Sequence, residues 1–591
     1  MENSSEVVIE ARELCKTYIS GKRQTPALHN ATFTVPKGKI TLLVGPDGAG
    51  KTTFIKMCVG ICAPTSGSLQ VLSLDVTKYS QEIQNRICYM SQKFGLYEDL
   101  TVEENLRLYA EIKGLDHKIR DQRMEELMDK ADLLRFRTRL AGNLSGGMKQ
   151  KLSLICAMLS RPELLILDEP CVGVDPLSRR DLWSIIVLAN KELGSSVVVS
   201  TAYIDEIEYA DYVYLFNHGQ VFCGSTPQDL KNEALDQCYV VEGGEVLPRL
   251  LQSNLIEQTS WIIDAVPRRG KISLTLKEAG KMPDFLRKFS PRPVKPEAED
   301  GFMAVFCRTT GQCHHFTRNL PDVLGKDSGS SSLPQEQSSS SQPVIEVRDL
   351  CRTFGSFIAV NKTSFQVYPG EVFGLLGPNG AGKTTTFRML CGLLPASSGY
   401  LQVAGHNLLT AGARARKNIG YVAQKFSLYG DLTVEQNLHF FGRAYGLHGE
   451  YFRKRLGEVL REFELQPVLD EPAGDLPFGF KQRLSMAVGI IHEPRILFLD
   501  EPTSGIDPFA RRVFWHQIAD LSARGTTIII TTHFLEEAEY CDRMMIQDAG
   551  RMIAYGTPRE VRQQGGDGAG RDLSMDEVFL NIVLKARGGY A

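Results

Sequence analysis

The nine residues GPDGAGKTT at Gly45–Thr53 return as GPNGAGKTT at Gly377–Thr385, an offset of 332 (377 less 45). The same offset joins Gln92 to Gln424, Ser145 to Pro477, Asp168 to Asp500 and Asp175 to Asp507. A long period held across several motifs means one domain present twice, and 591 residues are enough for several separate cores.

The spacing predicts one copy over residues 1–234 and a second over 343–591. Between them, residues 235–325 read as a small accessory α+β segment in which KISLTLK and FMAVFC are strand-like runs. Residues 326–342, KDSGSSSLPQEQSSSSQ, hold too little apolar surface to order themselves and read as a flexible linker. A random coil of that length spans roughly 23 Å. Within each copy, short unalternating apolar runs alternate with helical stretches: KITLLVG, LLILDEP and SVVVST, then EVFGLLG, ILFLDEP and TTIIITT. Strands of this kind belong to a parallel sheet covered on both faces.

G-x-x-x-x-G-K-[ST] after such a strand is a phosphate-binding loop. Gly45, Gly48 and Gly50, or Gly377, Gly380 and Gly382, let backbone N–H groups turn toward phosphate oxygens. Lys51 and Lys383 reach the β- and γ-phosphates, and Thr52 and Thr384, with Thr53 and Thr385 beside them, supply hydroxyls, the first of each pair to Mg²⁺. Asp168 and Asp500 close later apolar strands where a carboxylate can hold Mg²⁺ through water. The adjacent Glu169 and Glu501 are placed to polarise an attacking water. ATP and Mg²⁺ are the expected cofactors.

Composition narrows the function further. With 67 Lys and Arg against 70 Asp and Glu, the chain carries a formal charge of −3 and no dense basic run, which gives nucleic-acid binding no support. The 13 cysteines form no CxxC pair, as expected of reduced thiols. The nearest approaches to a metal motif are Cys58 with Cys62, expected at i,i+4 in an apolar helix, and Cys307 with Cys313, His314 and His315. The opening MENSSEVVIEAREL lacks the plan of a secretory leader, and no window of about 18 apolar residues occurs, so a chain that does not itself span a membrane is expected.

Phosphate loop, isolated glutamine, LSGG-x-x-Q and Asp-Glu-Pro, in this order and twice, resemble the nucleotide-binding domain of ATP-binding cassette (ABC) transporters. The resemblance implies an α/β fold of two P-loop NTPase domains, each a RecA-like parallel-sheet core with a helical subdomain. By it, Tyr18 and Phe354 are the aromatics that stack on adenine, and Gln92 and Gln424 are the glutamines that sense Mg²⁺ and the membrane partner. It also implies an intramolecular head-to-tail dimer, in which each ATP lies between the phosphate loop of one copy and the LSGG motif of the other.

Two departures from the family pattern fall on one of these composite sites. Ser145-Gly146-Gly147 becomes Pro477-Phe478-Gly479, which removes a hydroxyl and a backbone N–H and adds a bulky ring. The family's switch histidine is His533 in TTHFLEE but Ala202 in STAYIDE. The site built on Lys51 is therefore expected to be degenerate, with Glu169 as its weak catalytic group. The site built on Lys383, Thr384, Asp500, Glu501, Gln424 and His533 with the intact Ser145-Gly146-Gly147 is expected to hydrolyse. Asp47, where the second copy has Asn379, either adds an anion near the phosphates or caps the turn. VGVDP at Val172–Pro176 departs from the usual Ser-Gly-x-Asp, which SGIDP keeps.

LSGG-M-K-Q, the tandem arrangement and the accessory segment are similar to the fused ATPase subunits of bacterial ABC-2-type multidrug exporters. That resemblance implies two separate permease subunits, a periplasmic adaptor in some systems, and a peripheral location at the cytoplasmic face of the inner membrane. The segments KFGLYEDLTVEENL and KFSLYGDLTVEQNL correspond to the region that meets the permease or packs the helical subdomain. Two alternatives are a soluble tandem ABC ATPase acting on ribosomes or nucleic acid, and a fused importer ATPase. The first group usually has two intact LSGG motifs, basic linkers or cysteine-bound clusters; in the second, the second phosphate loop is the degraded one.

Overall fold

The computed structural model describes residues 6–311 and 342–588, apart from 21–22, 93–94, 245, 409–411, 413–414, 507 and 567–572. Residues 326–341 of the expected linker, Cys313, His314, His315 and Asp507 lie outside the described residues. Two compact units emerge. One comprises Met1–Leu235, Pro296–Gly311 and Gly505–Phe509; the other comprises Asp236–Lys295, Gln312–Ser504 and Ala510–Ala591.

The first unit is built on a six-stranded sheet ordered Gln220–Ser225, Tyr212–Asn217, Ile40–Val44, Ser196–Thr201, Leu164–Asp168 and Ile87–Met90. All neighbours run parallel except the antiparallel edge strand Gln220–Ser225. Every residue of Ile40–Val44, Leu164–Asp168 and Ser196–Thr201 is buried, which is why their sequences do not alternate. A second, antiparallel sheet carries Val7–Ser20 and Arg23–Pro36. Phe33, Phe54 and Phe216 join its core to that of the parallel sheet, with Phe33 and Phe54 ring centres 4.9 Å apart. Each ring so buried contributes about 2–3 kcal/mol.

The second unit repeats the design. Its sheet runs Ile419–Val422, Ile496–Asp500, Thr527–Thr532, Val372–Leu376, Arg543–Asp548 and Arg551–Gly556, the same order of corresponding strands read from the other edge. Its core stacks Phe365 on Phe373 at 5.3 Å and sets Phe387 edge-on to Phe498 at 5.4 Å. Each copy also carries three helices that pack away from the sheet edge: Val102–Ile112, His117–Lys130 and Gly146–Met158, then Val434–Ala444, Gly449–Glu462 and Phe478–Ile490. Thr101 with Glu104, and Thr433 with Gln436, form the capping boxes that start the first helix of each set.

The accessory segment is divided. An antiparallel sheet ordered Ile262–Arg268, Lys271–Leu276, Cys238–Val241 and Arg292–Pro293, with helix Pro248–Ile256, belongs to the second unit. FMAVFC, expected as a strand, is instead part of helix Ala298–Thr310 in the first unit. Glu297 and Asp300 form a capping box at its start, and Phe302, Met303, Phe306 and Cys307 are buried at helical spacing. The expectation for Cys62 also fails: the helix begun at Lys51 ends at Cys58. Gly60, at φ 72°, turns the chain and lets the Ile61 N–H donate to Lys56 O at 2.9 Å, the closure of a Schellman cap.

Candidate nucleotide sites

Both phosphate loops bridge a buried strand and a helix that begins at the lysine, Lys51–Cys58 or Lys383–Leu390. Gly50 and Gly382 precede them at φ 103° and 98°; a Cβ there would lie 2.6 Å from Ala27 O or 2.4 Å from Ala359 O. Only glycine fits. Gly45, Gly48, Gly377 and Gly380 lie in the same turns. Lys51 Nζ donates to Gly45 O (2.6 Å) and Pro46 O (3.0 Å), and Lys383 Nζ to Gly377 O (2.5 Å) and Pro378 O (3.0 Å). Each buried ammonium is thus held across the mouth of its loop, where the first helical N–H groups also point. Thr53 and Thr385 follow Thr52 and Thr384 at the third helical position, all four at least partly exposed.

The carboxylates meet these loops from the neighbouring strands. Thr52 Oγ1 donates to Asp168 Oδ1 at 3.0 Å, and the same oxygen accepts from Ser200 Oγ at 2.6 Å. Asp168 Oδ2 is buried without a hydrogen-bond partner among the described residues. In the second copy Thr531 Oγ1 donates to Asp500 Oδ1 at 2.7 Å, and burial raises the Asp500 pKa. Gln92 Nε2 donates to Glu169 Oε2 and Gln424 Nε2 to Glu501 Oε2, both at 2.6 Å. Gln92 and Gln424 are therefore brought to the glutamates in both copies.

Glu169 and Glu501 share a feature that motif reading does not reveal. Both have left-handed backbones, φ 51° and 47°, a conformation that costs a residue with a Cβ about 1–2 kcal/mol. Each is held there by two acceptors for its N–H: Ser200 O and Oγ (3.1 and 2.9 Å) for Glu169, and Thr531 O and Oγ1 (3.1 and 2.9 Å) for Glu501. Such strain persists because these hydrogen bonds over-determine the backbone.

The two glutamates nevertheless differ in charge. Burial pushes the Glu169 pKa up to about 7, opposed by Lys51 and reinforced by Asp47 and Asp168. Burial acts upward on Glu501 too, but His533, Lys383 and Gln424 together outweigh it and its pKa is lowered. His533 Nδ1 stands 3.2 Å from Glu501 Oε2, although neither ring nitrogen completes a well-aligned hydrogen bond among the described residues. The first copy has buried Ala202 at this place.

The signature helices differ as well. Ser145 caps Gly146–Met158, its hydroxyl accepting from Met148 N at 3.4 Å, and Gly147 packs so closely on Ser178 that a Cβ would lie 2.6 Å from that side chain. Pro477 offers Phe478–Ile490 no side-chain cap, Phe478 is 44% exposed, and Gly479 has open space around it. Tyr18 and Phe354 each show an exposed ring, with Lys16 Nζ 5.2 Å over the first and the Arg352 guanidinium 4.6 Å over the second.

Residues outside the motifs complete the second site. Glu537 Oε2 accepts from Thr503 Oγ1 (2.9 Å), two residues after Glu501, and from Thr532 Oγ1 (2.7 Å), just before His533. The first copy replaces Thr503 by Cys171, whose thiol is a weaker donor to the corresponding Glu206. The signal was in the sequence, since TTHFLEE and STAYIDE share the glutamate.

Comparison with known proteins follows the same lines. The family described as ABC transporter matches residues 28–172 and 360–504. The probable multidrug ABC transporter ATP-binding protein YbhF of Escherichia coli (strain K12) is 41% identical over 573 residues, covering 94% of this chain and 95% of that protein. The Nod factor export ATP-binding protein I of Ralstonia nicotianae is 44% identical over 222 residues, covering 37% of this chain and 69% of that protein. A solved structure of the ATP binding subunit of an ABC transporter is 31% identical and covers 41% of this chain and 99% of its own, with a TM-score of 0.38. With two phosphate loops, two Asp-Glu pairs and a relative matched over nearly its whole length, the chain belongs to the ABC transporter family.

Proposed function

We propose that the chain is the ATP-hydrolysing motor subunit of an ABC-2-type export system, with one hydrolytic and one degenerate site. The observation that carries this reading is the pairing of Glu501 with His533 in the second copy and its absence in the first. ATP binds with its phosphates against the loop amides and Lys51 or Lys383. The oxygen-rich donor set, with Asp168 Oδ2 lacking a protein partner among the described residues, fits Mg²⁺ held by Thr52 and Asp168 and, in the second copy, by Thr384 and Asp500, with Gln92 and Gln424 nearby. That ion, when bound, neutralises charge on the β- and γ-phosphates.

Hydrolysis at the second site rests on Glu501. Its lowered pKa keeps it ionised at neutral pH, Gln424 fixes one oxygen, and the carboxylate orients and polarises the attacking water. His533 pairs with Glu501 and stabilises charge building on the γ-phosphate. At the first site Glu169 is half protonated near pH 7 and Ala202 contributes no charge. Loss of one preorganised contact typically costs about 10²–10³ in rate.

No helix among the described residues is long and apolar enough to cross a membrane. In the proposed system the pore belongs to two separate permease subunits, on whose cytoplasmic side this chain docks peripherally, with a periplasmic adaptor in the assembly where the exporter spans two membranes. The segment after Gln92 supports docking: Gly95 and Tyr109 line a cavity of about 280 Å³ with Cys88, Met90 and Cys156. The relatives named for multidrug transport and Nod factor export support the export direction.

Steady-state ATPase rates of Glu169→Gln and Glu501→Gln test the assignment. Turnover is expected to vanish only in Glu501→Gln. Equal loss in both variants overturns the asymmetric reading.

A further inference from the structure

The accessory sheet grips one particular helix of the second copy. Helix Pro508–Ala523 follows Glu501 after a short loop, and Arg512, His516, Ala519 and Ser522 recur along one of its faces. Asp264, in the strand Ile262–Arg268, accepts from Arg512 Nε at 3.1 Å and from Arg512 Nη2 at 3.2 Å, with both side chains almost fully buried. Glu257 lies 2.8 Å from His516 Nε2, Leu250 packs on Ala519, and Arg249 Nη2 donates to Ser522 Oγ at 2.8 Å. The matching helix of the first copy, Pro176–Lys191, leaves Arg180 and Ser184 exposed at the positions of Arg512 and His516.

The residue preceding Arg512 on the same helix meets the segment around His533. Arg511 stacks on the Phe534 ring at 4.7 Å and pairs with Glu537 at 3.7 Å, and Glu537 holds Thr503 and Thr532. A continuous path therefore runs from Asp264 through Arg512, Arg511 and Glu537 to the residues flanking Glu501 and His533. Its links are charged or hydrogen-bonded groups buried away from competing water, where they hold geometry most firmly. In the first copy the path is altered at both ends, by exposed Arg180 and by Cys171, a weaker donor to Glu206, in place of Thr503.

We propose that residues 236–295 form a clamp that sets ATP turnover at the second copy's site, with Asp264 as a positioning residue acting through Arg512. The clamp fixes the helix, the helix fixes Arg511 and Glu537, and these fix the distance between Glu501 and His533. The segment thereby acts as a coupling element built into the motor. The inference rests on the reading that the Glu501 site is the hydrolytic one.

The test uses the full chain and steady-state ATPase kinetics. Asp264→Asn keeps the shape of the side chain and removes its charge. It is expected to lower kcat roughly 2- to 30-fold with KM for ATP unchanged, the range of energetic coupling between remote sites. Thr503→Val breaks the far end of the path without touching the accessory sheet, and is expected to give the same kcat-only loss. Arg180→Ala, the exposed counterpart, is expected to leave both constants alone. The clamp is overturned if Glu501→Gln abolishes turnover while Asp264→Asn and Thr503→Val keep the original kcat, or if their loss appears in KM. If turnover survives Glu501→Gln and instead disappears in Glu169→Gln, it is the hydrolytic assignment that fails.

Discussion

At the scale of the residue, two glutamates with the same backbone strain and the same glutamine partner carry different charge, because a histidine stands beside one and an alanine takes its place in the other copy. The difference is measurable as stability against pH. Glu169 has a folded pKa near 7 against its usual 4.5, so the native state binds the extra proton, and the associated stability is present below pH 4.5 and lost as pH rises through 7. Glu169→Gln is expected to melt higher than the unaltered protein above pH 7, the gap narrowing toward pH 5. Glu501 has a lowered pKa, and its stabilising contribution is present above 4.5 and lost as pH falls through the folded value. Glu501→Gln is accordingly expected to melt lower at pH 7. Calorimetric scans of both variants across pH 5–8 check the opposite signs. The motif residues were legible because phosphate chemistry demands fixed types at fixed spacing. The charge of Glu169 was not, because it depends on burial and on Asp47, Lys51 and Asp168 meeting around it.

At the scale of the element, the signature helices show how one substitution alters a start. Ser145 caps its helix and Pro477 cannot, so Ser145→Ala is expected to cost about 1 kcal/mol, read by chemical denaturation. Restoring function is the stricter check. Pro477→Ser and Phe478→Gly combined with Ala202→His, in a Glu501→Gln background, is expected to recover measurable turnover from the first site. The strands of the parallel sheets could be read directly, since a buried parallel strand has no polar positions to confuse its pattern. FMAVFC could not, because a six-residue apolar run fits a core strand or a helix equally well. The Glu297 and Asp300 capping pair and burial at 302, 303, 306 and 307 decided for helix.

At the scale of the molecule, the accessory segment is divided, and its sheet is no appendage of the first copy. Its sheet shares a unit with the second copy and meets it through buried ion pairs, where removing one partner leaves an uncompensated charge. Asp264→Ala is expected to destabilise that unit by about 3–5 kcal/mol. Hydrogen exchange should show protection lost together in Ile262–Arg268 and Pro508–Ala523 and retained in Leu164–Asp168 of the other unit.

The repeat, the two phosphate-loop motifs and the family were legible in the chain alone, because they rest on local motifs whose residue types have no substitute. What surrounds them came from the three-dimensional arrangement: the left-handed glutamates, the opposed pKa shifts, and the path from Asp264 to Glu537. Those depend on side chains tens to hundreds of positions apart arriving at close contact in a low-dielectric interior, and no spacing in the chain encodes that arrival.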